Sequence, residues 1–267
     1  FILLYNFNSI KENGIKSFSL IKDNIYVIIS LILGLLLSSN IYIPVLNYMN
    51  NSTRNAVLND QALEYATQWS FSIKESLTML IPYSKGFGGQ TYFGDMPFTD
   101  YPNYLGILVL FLALIGFFKS TLNKNYKIFF LLIALFSFLI SLGHNFILFY
   151  NIFYYWFPFF DRFRVPVYIL VLFYFSVFFF MGFGLDVLIS DIKTKKYKYY
   201  RYSILTLIFF SLLMLFSYPQ YITSEFSELV FLDLIYITLG LILFIISIEI
   251  FKKYNLNSHY IYSILGL

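Results

Sequence analysis

Two arginines near the middle of the chain are the side chains best suited to bind a ligand. Arg162 and Arg164 lie in an aromatic run that leads into an apolar segment. Arginine carries a planar set of donors that matches a phosphate group, and it is costly beside lipid unless it is paired. We therefore expect these arginines to contact an anion. Two partners stay open: a lipid-linked phosphate, or an acidic side chain such as Asp161 or Asp233.

Lys85 and three aspartates stand where they could contact a substrate at the outer face. Asp95 and Asp100 follow a glycine-rich stretch, 85–94, that begins at Lys85. Two such carboxylates could act as a base and a metal ligand in glycosyl transfer, although Asp beside Gly and Pro is also the usual composition of a turn, which we favour. The glycine-rich stretch is either a flap over a substrate or a plain turn. Asp233, near the end of an apolar segment, could line an external cavity or reach lipid headgroups.

Ser72 and Glu75 have the spacing of a capping box, in which each side chain accepts a hydrogen bond from the other residue's backbone N–H. The spacing predicts a short helix over 73–80 that stops at Pro82, and it makes Glu75 a structural residue first. The chain has no Cys and two His, His144 and His259, so a transition-metal site is not expected. No cofactor can be named.

The composition indicates an integral membrane protein. Of the 267 residues 59% are hydrophobic, 23% aromatic and 12% charged, and the mean hydropathy is +0.73. Soluble domains carry about 25% charged residues. Crossing a hydrocarbon core of about 30 Å takes roughly 20 apolar residues in a helix. The fold class is therefore all-α, a polytopic bundle in a single membrane domain over 1–267, with the lipid bilayer as its partner.

Six complete spans are predicted, at 25–45, 101–118, 128–143, 165–189, 202–218 and 229–248. The loop 46–100 joins the first two. The stretch 128–160 is too long for one span and too short for two, so we expect its second part, 146–160, to lie in the membrane interface or to dip back into it. Neither end resembles a natural terminus, which favours a fragment of a longer protein.

The basic residues give the orientation, because cytoplasmic loops retain Lys and Arg. Counting alternate loops puts thirteen of the eighteen on one side, including Lys119, Lys193 and Arg201, and five on the other. The loops 46–100 and 143–164 are then extracytoplasmic. The run 193–201, basic and rich in Tyr, is interpreted as a cytoplasmic loop with an aromatic belt, and no nucleic-acid partner is expected.

Four sequence elements suggest a family. They are the Trp-Ser-Phe-Ser at 69–72 with Glu75 and Ile81-Pro82, the Tyr-Phe-Gly-Asp-Met-Pro-Phe-Thr-Asp at 92–100, the Tyr-Leu-Gly at 104–106, and the Phe-Arg-Val-Pro at 163–166. In this order they resemble bacterial YfhO-type membrane proteins over about 40–190. The family often has a second Arg two residues after that Pro, where this chain has Tyr168, and Arg162 is the candidate to replace it.

The resemblance implies a membrane protein like the GT-C glycosyltransferases, which uses a polyprenyl-phosphate sugar donor for cell-envelope glycans at the outer face of the bacterial cytoplasmic membrane. It also implies a catalytic acid in a loop that would precede Phe1, so no catalytic residue is carried over. A lipid or glycan flippase or other transporter would need a polar path, which the apolar span centres disfavour. A non-catalytic membrane scaffold for envelope assembly also stays open.

Single cysteines test the orientation in this naturally cysteine-free chain. Asn59→Cys should react with an impermeant thiol reagent added to intact cells, and Thr194→Cys should react only after the cells are permeabilised, since the basic residues keep its loop inside. Mass-tag shifts on gels measure both reactions. Labelling of Thr194→Cys from outside would reverse the orientation.

Overall fold

The structure, a computed structural model, describes residues 17–49, 62–158, 160–194, 198–217 and 227–254. The described residues form helices and no strand, so the predicted all-α fold is confirmed. Eight α-helices are described: α1 Ser17–Met49, α2 Ala62–Ala66, α3 Ile107–Lys119, α4 Lys124–Ser141, α5 Ile147–Trp156, α6 Leu170–Lys193, α7 Lys198–Ser217 and α8 Ser227–Tyr254. Short 3-10 helices lie between them, at Lys74–Met79, Pro82–Lys85, Gly89–Thr91, Gly143–Phe146, Phe160–Arg162 and Pro166–Ile169.

Four described stretches are long and apolar enough to cross a membrane: Ile28–Tyr48 in α1, Lys124–Ser141, Pro166–Lys193 and Glu228–Tyr254. The apolar helices Ile107–Lys119 and Tyr200–Met214 are shorter. Each of the six predicted spans therefore overlaps an apolar helix. A membrane protein is supported by these helices, and the number of six complete crossings stays a prediction.

The second predicted span begins later than expected. The sequence predicts its start at Tyr101, but α3 starts at Ile107. The backbone N–H groups of Leu105 and Gly106 donate to the Met79 carbonyl oxygen at 3.0 and 2.9 Å, and Gly106 has a φ of 93°, which no helix allows. Residues 101–106 thus belong to the preceding loop, whose described part is 62–106.

Helices α3 and α6 pack with their backbones close together at two glycines. A Cβ atom on Gly116 would lie 1.9 Å from the Phe180 carbonyl oxygen, and one on Gly184 would lie 1.8 Å from the Leu112 carbonyl oxygen. Small residues at such a crossing allow close backbone approach, which gains packing energy where lipid offers no hydrophobic drive. Helix α4 also packs against α6, partly through stacked rings of Phe130 and Phe179.

The bundle has two chemically different ends. At one end, called the basic end, Lys119 Nζ donates to the Tyr200 hydroxyl at 3.3 Å, and Arg201 lies 3.4 Å from Glu249. At the other, called the loop end, the loop 62–106 lies against the helix ends. The structure thus gathers Lys and Arg from α3, α7 and α8 at one end, as alternation of the spans requires.

Helix α5 starts and finishes at the loop end. Before it, the backbone N–H of His144 donates to Ser70 Oγ at 2.9 Å. After it, the N–H of Val167 donates to the neighbouring Trp69 carbonyl oxygen at 3.2 Å. The ten residues of α5 cover about 15 Å, half of a hydrocarbon core of about 30 Å. The helix is therefore too short for a crossing of its own.

A pair of alanine substitutions in α6 tests the close helix crossing. Gly184→Ala should lower the thermal unfolding midpoint of the detergent-solubilised protein by several degrees, because its methyl group meets the Leu112 carbonyl and overpacking costs about 1–3 kcal/mol.

Gly182→Ala is the matched control, since its Cβ would meet nothing within 4 Å. That variant should keep the wild-type midpoint or exceed it, because Ala is the better helix former. Equal midpoints for the two variants would mean that α3 and α6 do not pack this closely.

Candidate functional site

A short stretch of loop, residues 67–72, lies across the ends of α4 and α6 and is called the crossing segment. The Phe71 N–H donates to the Ser141 carbonyl oxygen at 2.8 Å, and the Phe71 carbonyl oxygen accepts from Asn145 Nδ2 at 3.0 Å. Phe71 itself is fully buried. With the bonds from His144 and Val167, this crossing segment is tied to three separate parts of the chain, so Trp69 has a fixed place.

The side chain of Arg164 packs against the crossing segment and against α2. Its guanidinium donates to the Tyr65 hydroxyl at 2.6 Å and to Gln68 Oε1 at 2.8 Å. It also lies over two aromatic rings, 3.9 Å from the centre of Tyr65 and 4.4 Å from that of Trp69. Cation–π contacts of this kind stabilise a desolvated cation. The guanidinium is therefore fixed by neutral groups, and neither Asp161 nor Asp233 is its partner.

The residue after Arg164 has a strained backbone. Val165 has φ 68° and ψ 69°, the left-handed region that β-branched residues avoid, at a cost of about 1–3 kcal/mol. It also precedes Pro166, which further limits its conformations. The bonds of Val167 to Trp69 and of Tyr168 to Val165 hold this turn in place. Strain is thus stored directly beside the arginine.

A cleft of about 570 Å³ opens beside Arg164 at the loop end. Its walls come from the crossing segment, the loop before α3 and the turn before α6, and five of its twelve lining residues are aromatic. Arg164 and Asp100 are the charged residues among those that line it. The lining residues are Trp69, Met96, Phe98, Thr99, Asp100, Tyr101, Asn103, Phe163, Arg164, Val165, Val167 and Tyr168.

The other wall of the cleft is held by Trp69 as well. Its indole Nε1 donates to the Phe98 carbonyl oxygen at 3.1 Å, and its ring meets the Phe98 ring edge-on, with the centres 5.3 Å apart. Further along, Asn103 Oδ1 accepts from the Tyr174 hydroxyl of α6 at 2.8 Å. Loop, crossing segment and α6 are therefore connected around one cavity.

The sequence-predicted site residues divide into two groups. Arg164 and Asp100 share the cleft, and Lys85, Asp95 and Asp233 are not part of its lining. Lys85 Nζ lies 5.7 Å from the centre of the Phe93 ring, and the exposed Asp95 donates its backbone N–H to Glu75. The side chain of Arg162 lies outside the described part of the structure.

Asp233 is almost buried, at 9% exposed. Its Oδ2 accepts from the Tyr83 backbone N–H at 2.7 Å, which ties α8 to the 3-10 helix Pro82–Lys85. Burial, with the nearby Asp233 charge as a second cause, raises the pKa of Tyr104. Asp233 therefore joins the loop to α8. Among the described residues, no cluster of three His, Asp or Glu could hold a metal ion.

Glu75 is the centre of a buried hydrogen-bond network, of which the sequence predicts only the capping box with Ser72. The capping-box bonds are present, with Ser72 N to Glu75 Oε2 and Glu75 N to Ser72 Oγ both at 3.1 Å, and the helix that follows is 3-10 at Lys74–Met79. Glu75 Oε1 also accepts from the Tyr92 hydroxyl and, at 3.3 Å, from the Asp95 N–H. Burial and the bond to Glu75 raise the pKa of Tyr92 well above its usual value.

This network fixes the start of the segment that reaches the cleft. The Tyr92 hydroxyl also accepts from the Met96 N–H at 2.8 Å, and Met96 lines the cleft. Gly94 has to be glycine here, because a Cβ would lie 2.2 Å from Glu75 Oε1. Glu75, at 1% exposed, is therefore a positioning residue whose carboxylate orders the wall of the cleft.

Tyr65 and Gln68 were not expected in the site, and Trp69 entered only as part of a motif. An aromatic residue and an amide residue in a predicted loop, such as Tyr65 and Gln68, do not by themselves indicate a binding site. Comparison with protein-family models, curated proteins and solved structures gives no match for this chain.

Substitutions at Glu75 and Tyr92 test the network. Glu75→Gln should lower the free energy of unfolding by about 1–3 kcal/mol. The amide NH₂ group of Gln is itself a donor, so it would face one of the groups that donate a hydrogen bond to the carboxylate. Tyr92→Phe should cost less, and the double variant should cost less than the sum, as residues in one network do. Denaturant titration in mild detergent measures all three.

Glu64→Gln is the control, since Glu64 is exposed on α2 and should leave stability within about 0.5 kcal/mol of wild type. Strict additivity of Glu75→Gln and Tyr92→Phe would show that the two side chains do not share a hydrogen bond.

Proposed function

We propose that the cleft binds the phosphate group of a polyprenyl-phosphate-linked sugar and that the protein is a membrane glycosyltransferase-like protein of the bacterial cell envelope. One observation carries the proposal: a cation, Arg164, is fixed by neutral partners in the wall of an aromatic cleft at the loop end. The resemblance to YfhO-type proteins favours the same assignment.

The electrostatic argument starts from the charge of Arg164. Its hydrogen-bond partners among the described residues, Tyr65 and Gln68, fix its orientation but are neutral and do not balance its charge. An anion bound in the cleft beside the guanidinium would balance this charge. Phosphate suits a guanidinium best because its oxygens match the donor fork.

The rest of the cleft suits a sugar. Its volume of about 570 Å³ lies within the range of small-molecule sites, about 300–1,000 Å³. The exposed rings of Phe98 and Tyr101 offer flat apolar surfaces, and the Asp100 carboxylate offers acceptors for hydroxyl groups. We assign donor binding to this cleft and name no catalytic residue.

The location follows from the two ends of the bundle. By the positive-inside rule the basic end would face the cytoplasm, which supports our proposal that the cleft lies at the outer face of the bacterial cytoplasmic membrane, where lipid-linked sugars are used. Transport of the lipid or glycan is less favoured. The hydroxyls buried in the described helices, such as those of Ser137, Ser176 and Thr238, bond carbonyls of their own helix, so they line no polar path.

Intrinsic fluorescence tests the proposal, because the chain has only two Trp. Trp156→Phe leaves Trp69, which lies in the cleft, as the single reporter. Polyprenyl phosphate should change its emission saturably, and the uncharged polyprenol of equal length should bind at least about tenfold more weakly, since a charge-assisted bond to Arg is worth about 1.5–3 kcal/mol.

Variants in the same Trp156→Phe background test whether Arg164 is the cation that binds the phosphate. Arg164→Gln should remove the preference for phosphate over alcohol, and Arg164→Lys should retain only part of it because Lys lacks the planar fork. Arg201→Gln, an exposed cation at the basic end, is the control and should bind as the parent does. Equal binding of phosphate and alcohol by the parent would overturn the proposal. Phosphate binding without sugar transfer by native membranes would favour the scaffold alternative.

A further inference from the structure

The outer face of α5 is apolar along its whole length. Leu148, Ile152, Tyr155 and Trp156 are 76%, 55%, 68% and 86% exposed. Their spacing of four, three and one residues puts them on one side of a helix. Helix α5 contains no charged residue. Such a face is stable against hydrocarbon or against another apolar surface, and not in water.

The inner face of the same helix is already packed. Tyr150 is 2% exposed, and the Phe153 ring lies 5.2 Å from that of Phe136 in α4 and 5.9 Å from that of Phe160, between ring centres. The exposed face therefore points away from the described part of the bundle. Because α5 begins and ends at the loop end and covers about 15 Å, its outer face is placed to meet the membrane interface, where Tyr and Trp are favoured.

A row of aromatic rings connects α5 to the cleft. The ring of Phe160, which touches Phe153, also lies 6.4 Å from the ring of Phe163. Phe163 lines the cleft together with Tyr168, and the two are 67% and 68% exposed. Both flank Arg164 and the strained Val165. This row links the packed face of α5 to the residues beside the guanidinium, and the exposed Asp161 lies next to it, where it lines a surface pocket with Tyr155 and Trp156.

We propose that α5, Phe163 and Tyr168 form a lateral portal, through which the hydrocarbon chain of a lipid-linked phosphate extends from the outer leaflet while its phosphate lies at Arg164. This inference rests on the proposed function. It adds the route by which the lipid reaches the cleft and the place of its hydrocarbon chain. A lipid chain fits better than a partner protein because the exposed rings of Phe163 and Tyr168 flank a cation in the cleft, and the exposed face of α5 lies at the same end of the bundle. The amphiphile that matches is an anionic head on an apolar tail.

The position of α5 is measured first. Leu148→Cys and Ile152→Cys, each as the only cysteine of the chain and carrying a nitroxide label, should be more accessible to oxygen than to a water-soluble nickel complex in lipid nanodiscs. Thr194→Cys, exposed near the basic end, should show the opposite order. Preferential access of the nickel complex to the α5 labels would overturn the portal, and so would protection from both reagents, which would mean that protein covers α5.

The second measurement is chain-length selectivity in the Trp156→Phe reporter. The parent should bind a long polyprenyl phosphate at least about tenfold more tightly than a ten-carbon prenyl phosphate, because the longer chain makes more packing contacts along the exposed rings of the portal. Phe163→Ala with Tyr168→Ala should bring that ratio toward one. Phe209→Ala, an exposed ring on α7, is the matched control and should preserve the ratio.

The two proposals fail differently. A length ratio that the Phe163 and Tyr168 substitutions leave unchanged, with both phosphates still bound through Arg164, would overturn the portal alone. Failure of the parent to bind either phosphate in preference to its alcohol would overturn the proposed function, and the portal with it.

Discussion

The site depends on one set of backbone hydrogen bonds, those that tie the crossing segment 67–72 to the helix ends. Phe71 bonds Ser141 and Asn145 through its N–H and carbonyl, and Trp69 accepts from Val167. At the end of an apolar bundle these groups have few alternative partners, so each unmade bond would cost about 1–3 kcal/mol. Gly143, with a φ of 47°, belongs to the same constraint, because a Cβ there would lie 1.9 Å from Ser70 Oγ.

This docking explains how a cation can be kept at the edge of an apolar fold. Trp69 is held in place, so its ring and that of Tyr65 can stack on Arg164, and the stacking offsets part of the desolvation of the guanidinium. The left-handed backbone of Val165 is held by the same contacts. A strained residue beside a fixed cation is the kind of arrangement found where a site has to be ready before its ligand arrives.

The helices supply the frame, and the loop supplies the chemistry. Gly116 and Gly184 bring α3 and α6 together, and buried hydroxyls such as those of Ser137 and Ser176 bond carbonyls of their own helices. The loop, by contrast, contains a buried carboxylate, Glu75, that accepts from three different residues. Polar groups with several distant partners are concentrated at the loop end, where the proposed ligand and portal also lie.

The sequence by itself determined what depends on composition and on near neighbours: the all-α membrane fold, the apolar helices, the Ser72–Glu75 capping bonds, and the distribution of Lys and Arg that the bundle gathers at its basic end. Tertiary structure decided the rest. Arg164 meets Tyr65 and Gln68 from almost a hundred residues earlier, Asp233 bonds Tyr83, and the Met79 carbonyl delays the start of α3 to Ile107. Hydropathy and capping act within a few residues of chain, whereas these contacts exist only after distant helix ends have met.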